Sequence, residues 1–140
     1  MAFIPYQGKT QVEPFTYAAS TAIALGDALK FSSGYLVQAT AGQTVPTAGV
    51  SLQTIASTDA DYASPKLSGV VMLTPDLVFL ADVGTGSATI ANVGVGYDLA
   101  AAGTVDLTAS THKVVTVVGV VSATKVLVKF NSAYEFVNIS

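Results

Sequence analysis

The sequence predicts an all-β fold, a single antiparallel β-barrel or β-sandwich of short strands with an extended N-terminal arm. About nine or ten short runs are rich in Val, Ile, Leu and aromatic residues. Gly, Pro, Ser and Asp separate these runs at regular spacing, as in barrels and sandwiches. No segment keeps a helical period, although 87–93 or 97–102 could hold one short helical turn.

The clearest hairpin spans residues 114–130. An almost unbroken β-branched run at 114–121 is followed, after small and polar residues, by a second strand at 126–130. In the second strand Val126, Val128 and Phe130 share a core face, and the face with Lys125, Leu127 and Lys129 is mostly solvated. The first strand has apolar residues on both of its faces. We therefore expect it to be covered on both sides, by the core and by another element or another subunit.

The remaining strands complete one domain. They are predicted at 10–13, 15–18, 28–31, 35–39, 49–56, 66–73 and 77–83. We expect the arm to comprise residues 1–17 and the barrel residues 18–140, with a strand-like tail at 134–139. A weak sequence similarity links residues 26–40 to residues 96–109. That two hairpins use the same few turn residues is a simpler explanation than an internal repeat.

The amino-acid composition indicates a protein that assembles with other proteins rather than an enzyme. Hydrophobic residues make up 51% of the 140 positions and charged residues 11%, where about 25% charged is ordinary. No run reaches the roughly 18 apolar residues of a membrane-spanning helix, and the start lacks the features of a secretory signal. We expect cytoplasmic synthesis without export, no membrane partner, and an apolar surplus that is used against other proteins.

The side-chain inventory argues against several classes of function. The chain has no Cys, Arg or Trp and a single His, with a net charge of −3. Nucleic-acid surfaces need clustered Lys and Arg, so we expect no nucleic-acid partner. We also expect no catalytic site, no cofactor and no metal site, because catalysis and metal binding need groups of partners that this chain hardly supplies.

Individual candidates point the same way. His112 follows Ser and Thr and precedes a strand, which indicates a solvated turn. Asp59 and Asp61 form a D-x-D motif, but an EF-hand also needs further ligands and a closing Glu, so a solvated turn is favoured over Ca²⁺ binding. Asp82, Asp98 and Asp106 would hydrolyse glycosides only within a cleft, which the sequence does not show.

Aromatic residues near both ends are the candidate partner-binding residues. They are Phe3, Tyr6, Phe15 and Tyr17 on the arm and Tyr134 and Phe136 on the tail. Aromatic side chains on an arm either cover the domain's own core or anchor on a neighbour. The tail either closes the barrel or adds to the edge of a neighbour's sheet.

Five stretches in order carry a resemblance to a known family. They are AIALGD at 22–27, GYLVQAT at 34–40, GVGYDL at 94–99, GTVDLTAST at 103–111 and VGVVSATKVLVKF at 118–130. Over residues 18–130 the chain resembles the small β-barrel decoration, or cement, proteins of tailed-bacteriophage capsids. This resemblance implies a structural protein without catalytic residues on the capsid exterior, often a homotrimer near threefold positions, that clamps adjacent major capsid protein subunits.

Two alternatives stay open from the sequence. A phage tail or fibre subunit would form rings or fibres without a shell. A carbohydrate-binding β module would stack Tyr35, Tyr62 and Tyr97 on a sugar.

Overall fold

The computed structural model describes residues 2–8, 10–41, 43, 46–74 and 77–131, and the regular structure in these ranges is almost all β-strand. The strands are β1 Phe3–Gln7, β2 Val12–Tyr17, β3 Ala28–Ser32, β4 Tyr35–Gln38, β5 Gly49–Ser51, β6 Lys66–Met72, β7 Val78–Thr85, β8 Gly96–Ala101, β9 Thr104–Asp106, β10 Val115–Ser122 and β11 Lys125–Phe130. A single 3₁₀ turn, Ile90–Asn92, stands among these described elements. The predicted all-β class is confirmed.

The first five-stranded barrel is formed by β2, β4, β3, β5 and β6, in that spatial order. Neighbouring strands are antiparallel except β2 and β4, which run parallel with Tyr17 opposite Leu36. Inward-facing side chains fill the barrel, as the small interior of such a ring requires. They are Tyr17, Ile23, Leu29, Leu36, Ala48, Ile55 and Val70.

The second barrel is formed by β7, β11, β10, β8 and β9, and the pairing of β7 with β9 closes the ring. Again all pairings are antiparallel except one, the parallel pair of β7 and β9. Strand β1 is attached to this sheet along the first half of β7. The sequence predicted a single antiparallel barrel or sandwich, whereas the chain forms two closed rings, each with one parallel pair of strands.

The two barrels have the same strand connectivity. In each, the first strand pairs in parallel with the third, the second pairs with the third and fourth, and the fifth returns to the first. The weak sequence similarity between 26–40 and 96–109 falls on β3–β4 and β8–β9. These are corresponding hairpins of the two rings, so the similar residues occupy equivalent places in the fold.

The barrels share a hydrophobic core. Ala28, Ala39, Val50 and Val71 of the first barrel pack in one cluster with the interior of the second. Backbone bonds cross the same boundary: the Ala28 amide donates to the Ala102 carbonyl at 2.8 Å. Outward positions of the first barrel are therefore buried where the second barrel covers them.

The sequence predicted an N-terminal arm over residues 1–17, but the structure shows paired strands there. β1 is paired with β7, and its Phe3 amide also donates to the Gly26 carbonyl at 2.8 Å. β2 is a full member of the first barrel, paired with β6 over six residues. Since inward side chains of β2 complete the barrel core, residue 17 marks no boundary between an arm and a domain.

Candidate functional site

The strongest candidate is an apolar surface on the outside of the second barrel. Leu80 on β7 and Leu127 on β11 alternate with buried residues, so both side chains point away from the barrel interior. Leu80 lies opposite Leu127 on one side and opposite Ile4 of β1 on the other. Three aliphatic side chains therefore form a row across three neighbouring strands.

Strand β10 extends this row by means of two β-bulges. Val117 pairs with Val128 and Gly119 with Leu127, which leaves Val118 as an extra residue. A second register shift, between Val120 and Ser122, leaves Val121 extra in the same way. Bulges redirect side chains and increase local twist. Val118 and Val121 are 41% and 56% exposed.

The described residues of this chain do not supply the second cover expected on this strand, from another element or another subunit. Within the part of the chain that the structure describes, the core covers one side of β10, and the two bulged valines remain open to solvent. Gly119 lies beneath Leu127, since a Cβ added there would be 3.3 Å from the Leu127 Cδ1. This contact joins the β10 end to the row on β11.

Tyr6 completes the surface on the β1 side. It lies at a register shift between Pro5 and Gln7 and is 59% exposed. We define the outer apolar face as Ile4, Tyr6, Leu80, Leu127, Val118 and Val121. From β1 to β10 it crosses three strand spacings, about 14 Å at the usual spacing of sheets.

Charged residues border the outer apolar face at both ends of β11. Lys125 forms an ion pair with Asp82 at 2.6 Å, and its hydrogen bond lowers the pKa of that carboxyl below the usual range. Lys129 lies at the other end, opposite Thr116. No ion pair to Lys129 is present among the described residues. Among the described residues, the face is therefore flanked by the Lys125–Asp82 ion pair and by Lys129, which has no ion pair there.

Apolar surface continues beyond β10 along the segment 88–95. The Gly94 amide donates to the Val117 carbonyl at 2.7 Å, and the Val117 amide donates to the Val95 carbonyl at 3.1 Å. This segment also carries Ile90, which is 82% exposed. The apolar region is thus wider than the outer apolar face alone.

Two of the predicted aromatic anchors are core residues of this chain. Phe3 is buried, and its ring packs against those of Phe79 and Phe130, with centroids 6.4 and 5.0 Å away. Tyr17 is fully buried, and its hydroxyl donates to the Gly69 carbonyl at 3.2 Å. Neither can contact a partner, because each fills the space inside its own fold.

Of the other four predicted anchors, one is exposed, one is half-buried and two lie outside the described residues. Tyr6 belongs to the outer apolar face. Phe15 is half-buried, with its ring 5.6 Å from that of Phe31 on the first barrel. Tyr134 and Phe136 lie outside the described residues. The structure therefore does not bring the four described anchors together on one surface.

The acidic residues considered as candidates hold turns or form ion pairs, and the histidine is exposed. The buried carboxylate of Asp98 accepts the amides of His112 and Lys113 at 2.7 and 2.8 Å, while His112 itself is exposed. Asp59 accepts the Ala56 amide at 3.0 Å, and Asp61 pairs with Lys66 at 2.7 Å.

Asp106 closes a turn by accepting the amide and hydroxyl of Thr108. No group of three or more His, Cys, Asp or Glu among the described residues could hold a metal ion. No helix in the described ranges has the length and hydropathy to cross a membrane.

The three tyrosines considered for sugar stacking are in different settings. Tyr97 is buried, and its hydroxyl accepts the Asn92 side-chain amide at 2.7 Å. Tyr62 packs against the core of the first barrel, and Tyr35 is exposed on β4. Because the Tyr97 ring is enclosed, it cannot stack on a ligand at the surface.

Most of the outer apolar face was missed by the sequence reasoning. Leu127 shares one side of its strand with Lys125 and Lys129, a pattern that indicated a solvated side. Ile4 and Leu80 lie next to Leu127 only because their strands pair. The one available signal was the β10 run, which is apolar at both parities. In comparisons with known proteins, no family, no curated protein and no solved structure matches the chain.

Proposed function

We propose that the chain is a structural virion protein that binds the outer surface of a tailed-phage capsid and stabilises contacts between major capsid protein subunits. The observation that carries this proposal is the outer apolar face, which spans four strands and has few charges. Contiguous exposed apolar patches are uncommon on monomers and mark interaction sites. The resemblance of residues 18–130 to capsid decoration proteins supports a protein shell as the partner.

A sheet surface suits this role because its side chains are held by the backbone ladder. A partner that covers only Ile4, Leu80 and Leu127 gains about 4.5–9 kcal/mol from apolar burial if they become fully buried from an exposed state. The partial burial of Leu80 and Leu127 places the gain toward the lower end. Loss of motional freedom on association opposes it, so many copies on one shell are an effective arrangement.

Docking by the face is favoured over addition of a strand. Both barrels are closed, and β1 is the described strand with a neighbour on one side only. The Phe3 amide is already used by the Gly26 carbonyl, and Pro5 has no amide hydrogen to donate. Such an edge offers few donors to an incoming strand.

The polar groups of the chain fit a protein that works by binding. Asp98, Asp59 and Asp106 hold turns, and Asp61 and Asp82 pair with lysines. We propose no catalytic residue, no cofactor, and neither a nucleic-acid nor a membrane partner. The protein is made in the host cytoplasm and is located on the capsid exterior. There it forms a homotrimer of its own chain, and this homotrimer binds the major capsid protein.

Co-sedimentation with undecorated capsid shells of the encoding phage tests this function. Val121→Asp places a charge on the outer apolar face at an exposed bulge, where the fold tolerates it. Leu67→Asp is the matched control, since Leu67 is 73% exposed on the first barrel. The wild type should bind and raise the disruption temperature of the shell, with affinity reduced at least about tenfold in Val121→Asp only.

Two results would count against this proposal. If the wild-type chain stays in the supernatant at all concentrations, the capsid is not its partner. If Val121→Asp and Leu67→Asp bind as the wild type does, the outer apolar face is not the contact. Light scattering of the free chain checks the trimer, and rings or fibres in the absence of shells would instead favour a tail or fibre subunit.

A further inference from the structure

Ile90 is the most exposed large hydrophobic residue among those that the structure describes. Its side chain is 82% exposed, and the next is Leu67 with 73%. Ile90 begins the 3₁₀ turn Ile90–Asn92, which lies between the end of β7 and the start of β8. Burial in the chain's own core therefore does not explain an isoleucine at this position.

The turn that carries Ile90 has a fixed shape. The Thr89 amide donates to the Asn92 side-chain oxygen at 2.7 Å, and the Asn92 amide donates back to the Thr89 carbonyl at 3.0 Å. The Asn92 side-chain nitrogen donates to the hydroxyl of Tyr97, a buried residue of β8, at 2.7 Å. A side chain on a preorganised turn loses less freedom on binding than one on a mobile loop. Ile90 is therefore presented to solvent at a low entropic cost of binding.

Backbone hydrogen bonds place this turn beside the outer apolar face. The Ala88 amide donates to the Ala123 carbonyl at 2.9 Å, and the Gly94 amide donates to the Val117 carbonyl at 2.7 Å. The segment with the turn therefore runs antiparallel to β10, and the turn contacts that strand. These two bonds enclose the turn on one side and the two bulged valines of β10 on the other. Ile90 thus lies at the β10 border of the outer apolar face.

The surroundings of Ile90 carry no charge. No Asp, Glu, Lys, Arg or His occurs from Val83 to Tyr97, and β10 contains none either. A partner that covers the turn and the bulged valines therefore buries no charged side chain of this segment or of β10, and burial of a charge is the largest cost of such a contact. The chemistry of this border fits an uncharged, apolar recess.

We propose that Ile90 is an anchor of the shell contact and inserts into an apolar recess of the major capsid protein. This inference rests on the proposed capsid function, because the partner that covers the outer apolar face also reaches the turn beside it. A few side chains that fill pockets of the partner carry most of the binding energy of an interface, and the contacts around them exclude water. Ile90 has the first role, and Val118 and Val121 have the second.

Substitutions of nearly equal shape test the anchor. Ile90→Val keeps a branched apolar side chain, whereas Ile90→Thr replaces one of its methyl groups by a hydroxyl. Leu67→Val and Leu67→Thr are the matched controls, at a similarly exposed position on the first barrel. Binding is measured by co-sedimentation with undecorated shells of the encoding phage. Ile90→Thr should bind at least about tenfold more weakly than Ile90→Val, because its hydroxyl enters an apolar recess. The two Leu67 variants should bind equally within about twofold, since an exposed hydroxyl stays hydrated.

The outcomes separate this inference from the function on which it rests. If the wild type sediments with shells and Ile90→Thr binds as well as Ile90→Val, the capsid function stands and the anchor is wrong. If Leu67→Thr shows the same loss as Ile90→Thr, surface polarity explains both and the anchor is again wrong. If the wild type does not bind shells, the capsid function is wrong, and the anchor is wrong with it.

Discussion

Gly49 of β5 lies directly against Val70 of β6. A Cβ added to Gly49 would be 2.4 Å from the Val70 Cγ1 and 2.6 Å from the Val71 carbonyl oxygen. Val70 is fully buried in the core of the first barrel, and the Val71 carbonyl belongs to the strand backbone. The barrel therefore closes at this point only because residue 49 has no side chain.

Gly49→Ala should lower the free energy of unfolding by about 3 kcal/mol, the upper part of the range for overpacked cores. The carbonyl oxygen cannot move away without disturbing β6. Gly34→Asn is the control: Gly34 has φ +86° with no atom within 4 Å of an added Cβ, and Asn tolerates that backbone region. Urea unfolding followed by circular dichroism should show a loss below about 1 kcal/mol for the control. Equal losses would refute the steric explanation.

Asp98→Ala should destabilise the protein by about 3 kcal/mol, because two backbone amides lose a buried, charged acceptor. These amides belong to His112 and Lys113, and Lys113 has φ +50°. Asp106→Ala removes similar bonds at an exposed turn and should cost less than about 1 kcal/mol. Hydrogen exchange should show faster exchange of the two amides in Asp98→Ala alone.

Tyr17→Phe should cost about 1 kcal/mol at pH 7, through loss of the hydrogen bond to the Gly69 carbonyl. Burial raises the pKa of the Tyr17 phenol. A raised pKa in the folded state gives stability that is complete below the unfolded pKa, about 10, and is lost as the pH rises through the folded pKa. The stability difference between wild type and variant should therefore shrink above about pH 10. A constant difference from neutral to alkaline pH would contradict this assignment.

Lys125→Gln should raise the pKa of Asp82 toward its ordinary value of about 3.9, since the hydrogen bond from Lys125 is the main cause of its depression. A depressed carboxyl pKa stabilises the fold above the unfolded pKa, and this is lost as the pH falls through the folded pKa. The cost of Lys125→Gln, below about 1 kcal/mol for so exposed a pair, should vanish in acid. Carbon-13 titration of the carboxyls measures both effects. Lys66→Gln is the control and should shift Asp61 only.

Hairpins between strands adjacent in sequence were predictable, because turn residues and β-branched runs are local signals. The predicted pair 114–121 and 126–130 corresponds to β10 and β11, and 28–31 with 35–39 corresponds to β3 and β4. The strands at 66–73 and 77–83 are also present, but they belong to different barrels. β6 pairs with β2 and β5, whereas β7 pairs with β1, β9 and β11. The pairing of strands that are distant in sequence cannot be predicted from the local alternation of apolar and polar residues.

Helical turns illustrate the same limit. The 3₁₀ turn Ile90–Asn92 lies within the predicted stretch 87–93. The alternative stretch, 97–102, is mostly β8, although its three alanines favour helix. Pairing with β9 and β10 closes the second barrel and decides the conformation there.

The outer apolar face was only partly foreseeable. Its β10 edge follows from a strand with apolar residues at both parities, but the two bulges that turn Val118 and Val121 outward depend on the pairing with β11. Phe3 and Tyr17 show the opposite case. Aromatic residues near Pro5 and Pro14 suited either a core or a partner, and only the closed barrels show that Phe3 and Tyr17 are core residues.

The chain crosses between the barrels twice, because β1 belongs to the second sheet while β2 to β6 form the first barrel. A proteolytic cut in the connection between β6 and β7 would leave a strand of the second sheet on the N-terminal fragment. Phe3, enclosed by Phe79 and Phe130, would still join the two fragments without a covalent bond. The halves are therefore complementary fragments of one folding unit, and neither barrel is a detachable module.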